Sequence, residues 1–375
     1  MIKDTKLNYA LNVAARWVVG LVFLFSSFVK GVDPMGTMFK VQDYMSNWEL
    51  FGMSFTWAHP LAGVLAVALI CAEFLVGVML IFNSFRVFSA WLLTLMMAFF
   101  TVTTFVDATT NLVDDCGCFG DAIKLTNWQT FWKNIALDVP TVWILLTCRL
   151  RMKRRFERDI IVVIAGLVVM LVFSIYNINH EPVIDFRPWK IGNKMIEERE
   201  AMNHMLMQNK ETGDTVTIHY RNGEWESVPA EYRDFDKWDV LQSTSDEPAE
   251  ILAPGFSMMD LEGADHALEL ISAEEGLVIV TIHHLDKIDA QDADEVKTAV
   301  TLARENEKHV VLLTSALPED IQAWLFENQL DDIEFYFADA TAIETMMRGN
   351  PGFMYVENAV VVDKGREASK LKIEN

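Results

Sequence analysis

The sequence predicts an α-helical membrane bundle of four helices plus a fifth anchor helix, followed by a soluble α/β domain. Three observations carry that prediction. Five long apolar segments fall in the first half of the chain. Charge is divided unevenly: residues 1–176 hold 14 Lys and Arg against 12 Asp and Glu, and residues 177–375 hold 17 against 41. Beyond residue 250, short β-branched runs alternate with helical stretches, the pattern of a sheet built from βαβ units. A chain that is 51% hydrophobic yet carries 53 acidic groups is reconciled if its halves face different solvents. The acidic half keeps itself solvated and is a poor binder of nucleic acid.

The apolar segments run from about Tyr9 to Val29, Pro60 to Phe82, Val87 to Val106, Trp128 to Cys148 and Ile160 to Tyr176. Most approach the roughly 20 residues that a spanning helix needs. Lys3 and Lys6 precede the first, and no small-residue cleavage site follows it, so it reads as a retained anchor. Arg149, Arg151, Lys153, Arg154, Arg155 and Arg158 cluster between the fourth and fifth segments. Alternation puts Lys3, Lys6 and Arg86 on the same side, which the positive-inside rule assigns to the cytoplasm. The expectation is a multi-pass protein of the cell (inner) membrane with a cytoplasmic N-terminus. Loops 30–59 and 107–127 and the acidic half then lie outside, in an extracytoplasmic or periplasmic space. The expected divisions are a bundle over 1–150, a basic loop and fifth helix over 151–178, a connector with a β-hairpin over 179–250, and the α/β domain over 251–375.

Ionisable residues inside spanning segments are costly and mark function or internal pairing. Arg16, Glu73 and Asp138 fall at similar depths by helical rise, which predicts one intramembrane charge network, with snorkelling of Arg16 as the alternative. That network either holds the bundle together or serves a proton- or quinol-linked site. Pro140 is expected to kink the fourth helix. Trp48, Phe51, Phe55 and Trp57 in loop 30–59 read as an interfacial aromatic belt. Cys71 and Cys148 read as inert, buried thiols.

The most chemically specific stretch is Asp114–Asp121, DDCGCFGD. It brings Cys116 and Cys118 together across Gly117, which leaves the intervening position unobstructed. Strained, exposed disulfides are the labile ones, so the pair predicts exchange chemistry in an oxidising compartment. Asp114, Asp115 and Asp121 disfavour a thiolate and Lys124 favours it, which suits a pair resting as a disulfide. A quiet structural CxC turn is the competing reading. Two thiols without a neighbouring histidine make an incomplete metal site, so no metal is expected there.

Residues 9–148 resemble the DoxX/MauE superfamily of four-helix membrane proteins. The stretches that carry the likeness are RWVVGLVFLFSSFVKGVDP (Arg16–Pro34), AEFLVGVMLI (Ala72–Ile81) and DCGCFGDAIKLTNWQTFWKNIALD (Asp115–Asp138). The resemblance implies redox-linked roles, as partners of quinone-linked oxidoreductases or factors that mature cysteine-rich proteins. It marks Arg16, Lys30, Glu73, Cys116, Cys118, Gly120 and Asp121. A quinone is the cofactor it leaves open, and no other is implied.

In the second half, Pro182 and Pro188 argue against regular structure in VIDFRPWKIG. TVTIHYRNGEWESV (Thr215–Val228) reads as a hairpin turning at Asn222-Gly223, and SDEPAE (Ser245–Glu250) as a linker. Strands are expected near Leu277–His283, within KHVVLLTSA and at Ile333–Ala338. Helices are expected at Ala290–Glu305 and Glu319–Asn328, with a short helix and a final hairpin after them. APGFSMMDLEG and GNPGFMYVENAVVVDKG resemble the first hairpin and the proline loop of TlpA-like and peroxiredoxin-like thioredoxin folds, with Pro351 at the cis-proline position. Those folds need Cys-x-x-Cys after the first central strand. Here the place reads HHLDKID (His283–Asp289), and all four cysteines of the chain precede residue 150. His283, His284 and Asp286 hint at a metal, yet no spaced second set of ligands accompanies them. Two functions follow: a membrane thiol-redox component using Cys116 and Cys118, with a redox-inactive docking domain, or a non-enzymatic scaffold presenting that domain. Either works with the lipid bilayer and an extracytoplasmic redox or client protein as partners.

Overall fold

The computed structural model describes residues 5–47, 55–111, 113, 117–150, 156–198, 202–221, 224–245, 249–253 and 255–373. Two compact units divide the chain, Met1–Arg187 and Pro188–Asn375.

The described helices of the first unit are α1 (Lys6–Val32), α2 (Pro34–Asn47), α3 (Ala62–Phe82), α4 (Arg86–Thr110), α5 (Asn127–Thr147) and α6 (Phe156–Asn179). All five apolar segments are helical. Large side chains such as Leu21, Phe25, Trp91, Leu95, Val142, Ile164 and Val172 point outward on them. Asn12, Ser27, Glu73, Thr104 and Asn134 point inward. That inverted distribution suits lipid as the outer solvent. Among the described residues, four stretches are long and apolar enough to cross a membrane: Lys6–Val32, Thr56–Phe82, Arg86–Thr110 and Phe156–Asn179. The protein is therefore a multi-pass membrane protein. α5 falls short of that apolarity because its inner face is polar: Asn134 Nδ2 donates to Thr104 Oγ1 (3.1 Å), and Thr101 Oγ1 donates to Asp138 Oδ2 (2.9 Å). Its start is fixed by a reciprocal cap between Thr126 and Gln129, and it runs on through Pro140.

α1 and α3 approach closely at two glycines. A Cβ on Gly77 would stand 3.0 Å from the Gly20 carbonyl oxygen and 2.9 Å from the Leu24 side chain. Small residues at such a crossing let backbones pack without an intervening side chain. The expected loop 30–59 holds a helix instead, α2. Asp33-Pro34 reads locally as its start: Asp33 Oδ1 accepts from Gly36 N (3.1 Å), and proline fits the first helical position. Of the aromatics read as a belt, Trp57 is exposed and Phe55 half-buried, while Trp48 and Phe51 lie outside the described residues.

The second unit contains β1 (Ile196–Glu198), β2 (Met202–Asn209), β3 (Thr215–Arg221), β4 (Trp238–Ser245) and β5 (Ala249–Ile251), then β6 (Leu277–Ile282), β7 (His309–Thr314), β8 (Glu334–Phe337), β9 (Gly352–Glu357) and β10 (Val360–Gly365). Helices α7 (Ala267–Ser272), α8 (Ala290–Glu305), α9 (Pro318–Glu327) and α10 (Ala340–Met346) accompany them. A five-stranded mixed sheet runs in the order β10-β9-β6-β7-β8, with β6, β7 and β8 parallel and β9 antiparallel to β6. All six residues of β6 are buried, as a central strand covered on both faces requires. One face packs Ile279, Leu313 and Met354 with Trp189 and Met195; the other packs Val280, Leu312 and Phe353 with Val296, Val300 and Ile321.

Of the region expected as a connector over 179–250, residues 179–187 belong to the first unit and 188–250 to this one. Trp189 and Met195 enter its core, and Met195 N donates to Ala359 O (2.6 Å). Between β1 and β5, which pair with each other, a three-stranded antiparallel sheet in the order β3-β2-β4 is inserted. Asn222 and Gly223, where the expected hairpin turns, lie outside the described residues; before them β3 pairs with β2, and after them Trp225–Ser227 makes a 3-10 turn. Burial decides this: Met207, Ile218 and Val228 close a small core of their own. β2 was invisible beforehand because MNHMLMQN does not alternate in polarity. Ser245 and Ala249-Glu250, read as linker, are strand residues, with 246–248 outside the description.

Candidate functional site

The cysteine loop folds back against the bundle. Cys116, with Asp114 and Asp115, lies outside the described residues, so the placement of the pair rests on Cys118. Gly117 and Gly120 both adopt positive φ (62° and 49°), and Gly120 N donates to Gly117 O (3.1 Å), closing a turn around Cys118. A Cβ on Gly120 would stand 3.2 Å from Val29 Cγ1, so the turn sits directly on α1. Phe119 anchors it, its ring 5.4 Å from Phe25 and under the Lys133 ammonium at 4.4 Å. Asp121 pairs with Lys124 at 3.9 Å on the exposed flank. Gly117, Cys118, Phe119, Gly120, Ile123, Lys124, Leu125 and Thr130 enclose a small depression beside the half-buried Cys118.

Beneath the turn lies a buried ion pair. Lys30 Nζ, from the end of α1, meets Glu73 Oε1 of α3 at 2.6 Å, with both side chains almost fully removed from solvent. Phe100 of α4 sits 5.7 Å from the ammonium. Ser26 joins the two levels: its Oγ is 2.7 Å from the Cys118 carbonyl oxygen and 2.9 Å from Glu73 Oε2. A hydroxyl has one proton, so Ser26 donates to one of these acceptors at a time. The position of the cysteine turn is thereby tied to the carboxylate below it.

The expected network of Arg16, Glu73 and Asp138 is divided differently. Glu73 takes Lys30; Arg16 donates to Asn83 Oδ1, beyond the end of α3; Asp138 accepts from Thr101. Arg16 and Glu73 are not level: Glu73 meets Lys30, which is fourteen residues beyond Arg16 and ~21 Å farther along α1 at helical rise. Arg16 is buried, so its head does not reach solvent as the snorkelling alternative requires. Ser26 was missed altogether, since a serine in a spanning helix carries no distinguishing sequence signal. Cys71 is buried with Ile70 and Met170, and Cys148 with Val19 and Leu93, both among apolar side chains.

Residues 8–147 match the family described as methylamine utilisation protein MauE. The match supports a MauE-type membrane segment, and it takes in Ser26, Lys30, Glu73 and the cysteine turn together. No curated protein matches the chain.

A second cluster lies in the C-terminal unit. His283 and His284 follow β6, and both backbone N–H groups donate to Asn350 Oδ1 (3.0 and 3.1 Å), while Asn350 Nδ2 donates to His284 O (2.8 Å). The Asn350–Pro351 peptide is cis. Glu344 of α10, sixty residues away in sequence, brings Oε1 to 3.6 Å from His284 Nε2 and 3.9 Å from His283 Nε2. Asp286, the carboxylate read beside this pair, is highly exposed and 4.0 Å from His284 Nδ1. Burial, with His284 and then Lys287, Arg348 and Arg366 adding positive charge, lowers the His283 pKa to about 4. Burial raises that of Glu344.

Proposed function

We propose that this protein is a membrane thiol-redox component whose exchanging pair is Cys116 and Cys118. The observation that carries the reading is the Ser26 link, which fastens the Cys118 turn over the buried Lys30–Glu73 pair. A loop with no chemistry has no need of a charged pair enclosed beneath it, and intramembrane charges are costly unless they serve a purpose. In the proposed cycle one cysteine, as thiolate, attacks a partner disulfide and forms a mixed disulfide. The second then displaces the partner, which leaves as a dithiol while Cys116 and Cys118 end as a disulfide. Run in reverse, the cycle oxidises the partner. A quinone taken up by the bundle is the counter-reactant of matching stoichiometry, since the dithiol yields two electrons and two protons as it closes. The match to a methylamine utilisation protein and the redox roles implied by the family likeness support this reading.

The C-terminal unit reads as a thioredoxin-like docking domain. Support comes from the mixed sheet, the cis-Pro351 loop abutting the end of β6, and histidines where such folds carry their thiols. With no cysteine after residue 150, it binds a partner rather than exchanging with it. The proposed sidedness puts the cysteine turn and this domain on the extracytoplasmic face.

The test is maleimide trapping of free thiols in intact membranes, in wild type and in Cys116→Ala. Cys116 and Cys118 should change oxidation state as external thiols or the quinone pool are varied. A Cys118→Ala variant should accumulate a mixed disulfide with the partner. An unchanging oxidation state under every condition would leave only the scaffold reading.

A further inference from the structure

Three potential ligands converge at the end of β6 on a rigid frame. The backbone of His283-His284 is clamped by Asn350 on one side, and Ser315 Oγ donates to His283 O (2.9 Å) on the other. One nitrogen from each imidazole and one Glu344 oxygen lie within 4.8 Å of one another. The His283 side chain is 9% exposed, yet its Nδ1 has no hydrogen-bond partner among the described residues. The nitrogen that faces Glu344 is Nε2, so the orphaned Nδ1 marks the dry surroundings of the ring, and the convergence of the three side chains is what points to a ligand.

We propose that His283, His284 and Glu344 form a binding site for one divalent transition-metal ion of the zinc class, with a coordination position open to solvent on the His284 side. Two imidazoles and a carboxylate are borderline ligands that suit zinc-like ions better than calcium or magnesium. Bonds of ~2.0–2.2 Å to a tetrahedral ion place ligand atoms ~3.3–3.5 Å apart, so the three side chains close by about 1 Å on binding. His284 is half-exposed and His283 is buried, so the adjustment falls mainly on His284. Lys287, Arg348 and Arg366 oppose a purely electrostatic cation, which further selects an ion held by directional bonds. Asp286, exposed and 4.0 Å from His284 Nδ1, is a further carboxylate beside the set.

The test uses the full chain in detergent, stripped with chelator, its thiols blocked with N-ethylmaleimide so that Cys116 and Cys118 take no part. Titration with Zn²⁺ alone by calorimetry should give one equivalent, and Co²⁺ should give the intense visible bands of a four-coordinate site. Glu344→Gln and His284→Ala should each weaken binding at least tenfold, and Zn²⁺ should raise the melting temperature of wild type but not of these variants. His204→Ala should leave the site intact; that residue belongs to a separate exposed pair, with His204 Nδ1 2.6 Å from His219 Nδ1. Glutamine keeps the shape of glutamate and His284 is half-exposed, so unchanged melting without metal establishes that both variants fold. Absence of Zn²⁺ binding, or binding that survives Glu344→Gln and His284→Ala, overturns the proposal.

Discussion

At the scale of single residues, the Lys30–Glu73 pair dominates the membrane unit. Removing one partner of a buried pair leaves an uncompensated charge, at a cost of about 3–5 kcal/mol, whereas removing both is far milder. Lys30→Met should therefore lower the melting temperature of the detergent-solubilised protein sharply, and Lys30→Met/Glu73→Met should recover most of the loss. Ser26→Ala should leave stability nearly unchanged but release the cysteine turn, read as faster maleimide labelling of reduced Cys118. In the other unit, His266 Nε2 is bonded to Asp260 Oδ2 at 2.8 Å, with Glu269 nearby, which raises the His266 pKa above its ordinary 6.5. A raised folded-state pKa means that this contact stabilises fully below pH 6.5 and fades as pH rises through the elevated value. Asp260→Asn should return the imidazole toward its ordinary titration. Diethylpyrocarbonate modifies the neutral ring, so the labelling curve of His266 should move to lower pH in that variant.

Among the elements, the α1–α3 crossing sets where Lys30 meets Glu73. The Leu24 side chain at 2.9 Å can shift, but the Gly20 carbonyl oxygen 3.0 Å from a Cβ on Gly77 is backbone, so the helices must part to admit one. Gly77→Val should reduce recovery of folded protein in detergent to a small fraction of wild type. Gly63→Ala is the control, because the nearest atom there is Met38 Sδ at 3.5 Å, ordinary contact. Size-exclusion chromatography of fluorescently tagged protein reads both. All five apolar segments were legible as helices, four from length and unbroken hydropathy and α5 less plainly, because Lys133, Asn134 and Asp138 interrupt it. Within the α/β domain, α8 begins and ends where expected, at Ala290 and Glu305, because Asp289 and Asp292 form a reciprocal cap and the apolar period is regular. α2 and β2 were not legible. One is weakly amphipathic and the other is rich in methionine without alternation, so neither period stands above its surroundings.

For the whole molecule, the division at Pro188 predicts an independently folding C-terminal half. Its core clusters draw only on residues from Trp189 onward, and its sheets close among themselves. A fragment beginning at Pro188 should express as a soluble, cooperatively melting protein by circular dichroism. Reporter fusions at the C-terminus test the proposed sidedness: activity is expected from an extracytoplasmic reporter and not from a cytosolic one.

The sequence by itself determined that the chain crosses a membrane, that its acidic half is an α/β domain without thiols, and that Cys116 and Cys118 stand one residue apart. Hydropathy, charge and cysteine position are properties of composition along the chain and survive without coordinates. Only the tertiary structure decided which charges meet. Glu73 could have been assigned to Arg16, and Glu344 to nothing, because pairing depends on helix rotation and on contacts across 43 and 60 residues of intervening chain. Packing of α1 on α3, and of α10 beside the end of β6, sets those rotations, and no local pattern encodes them.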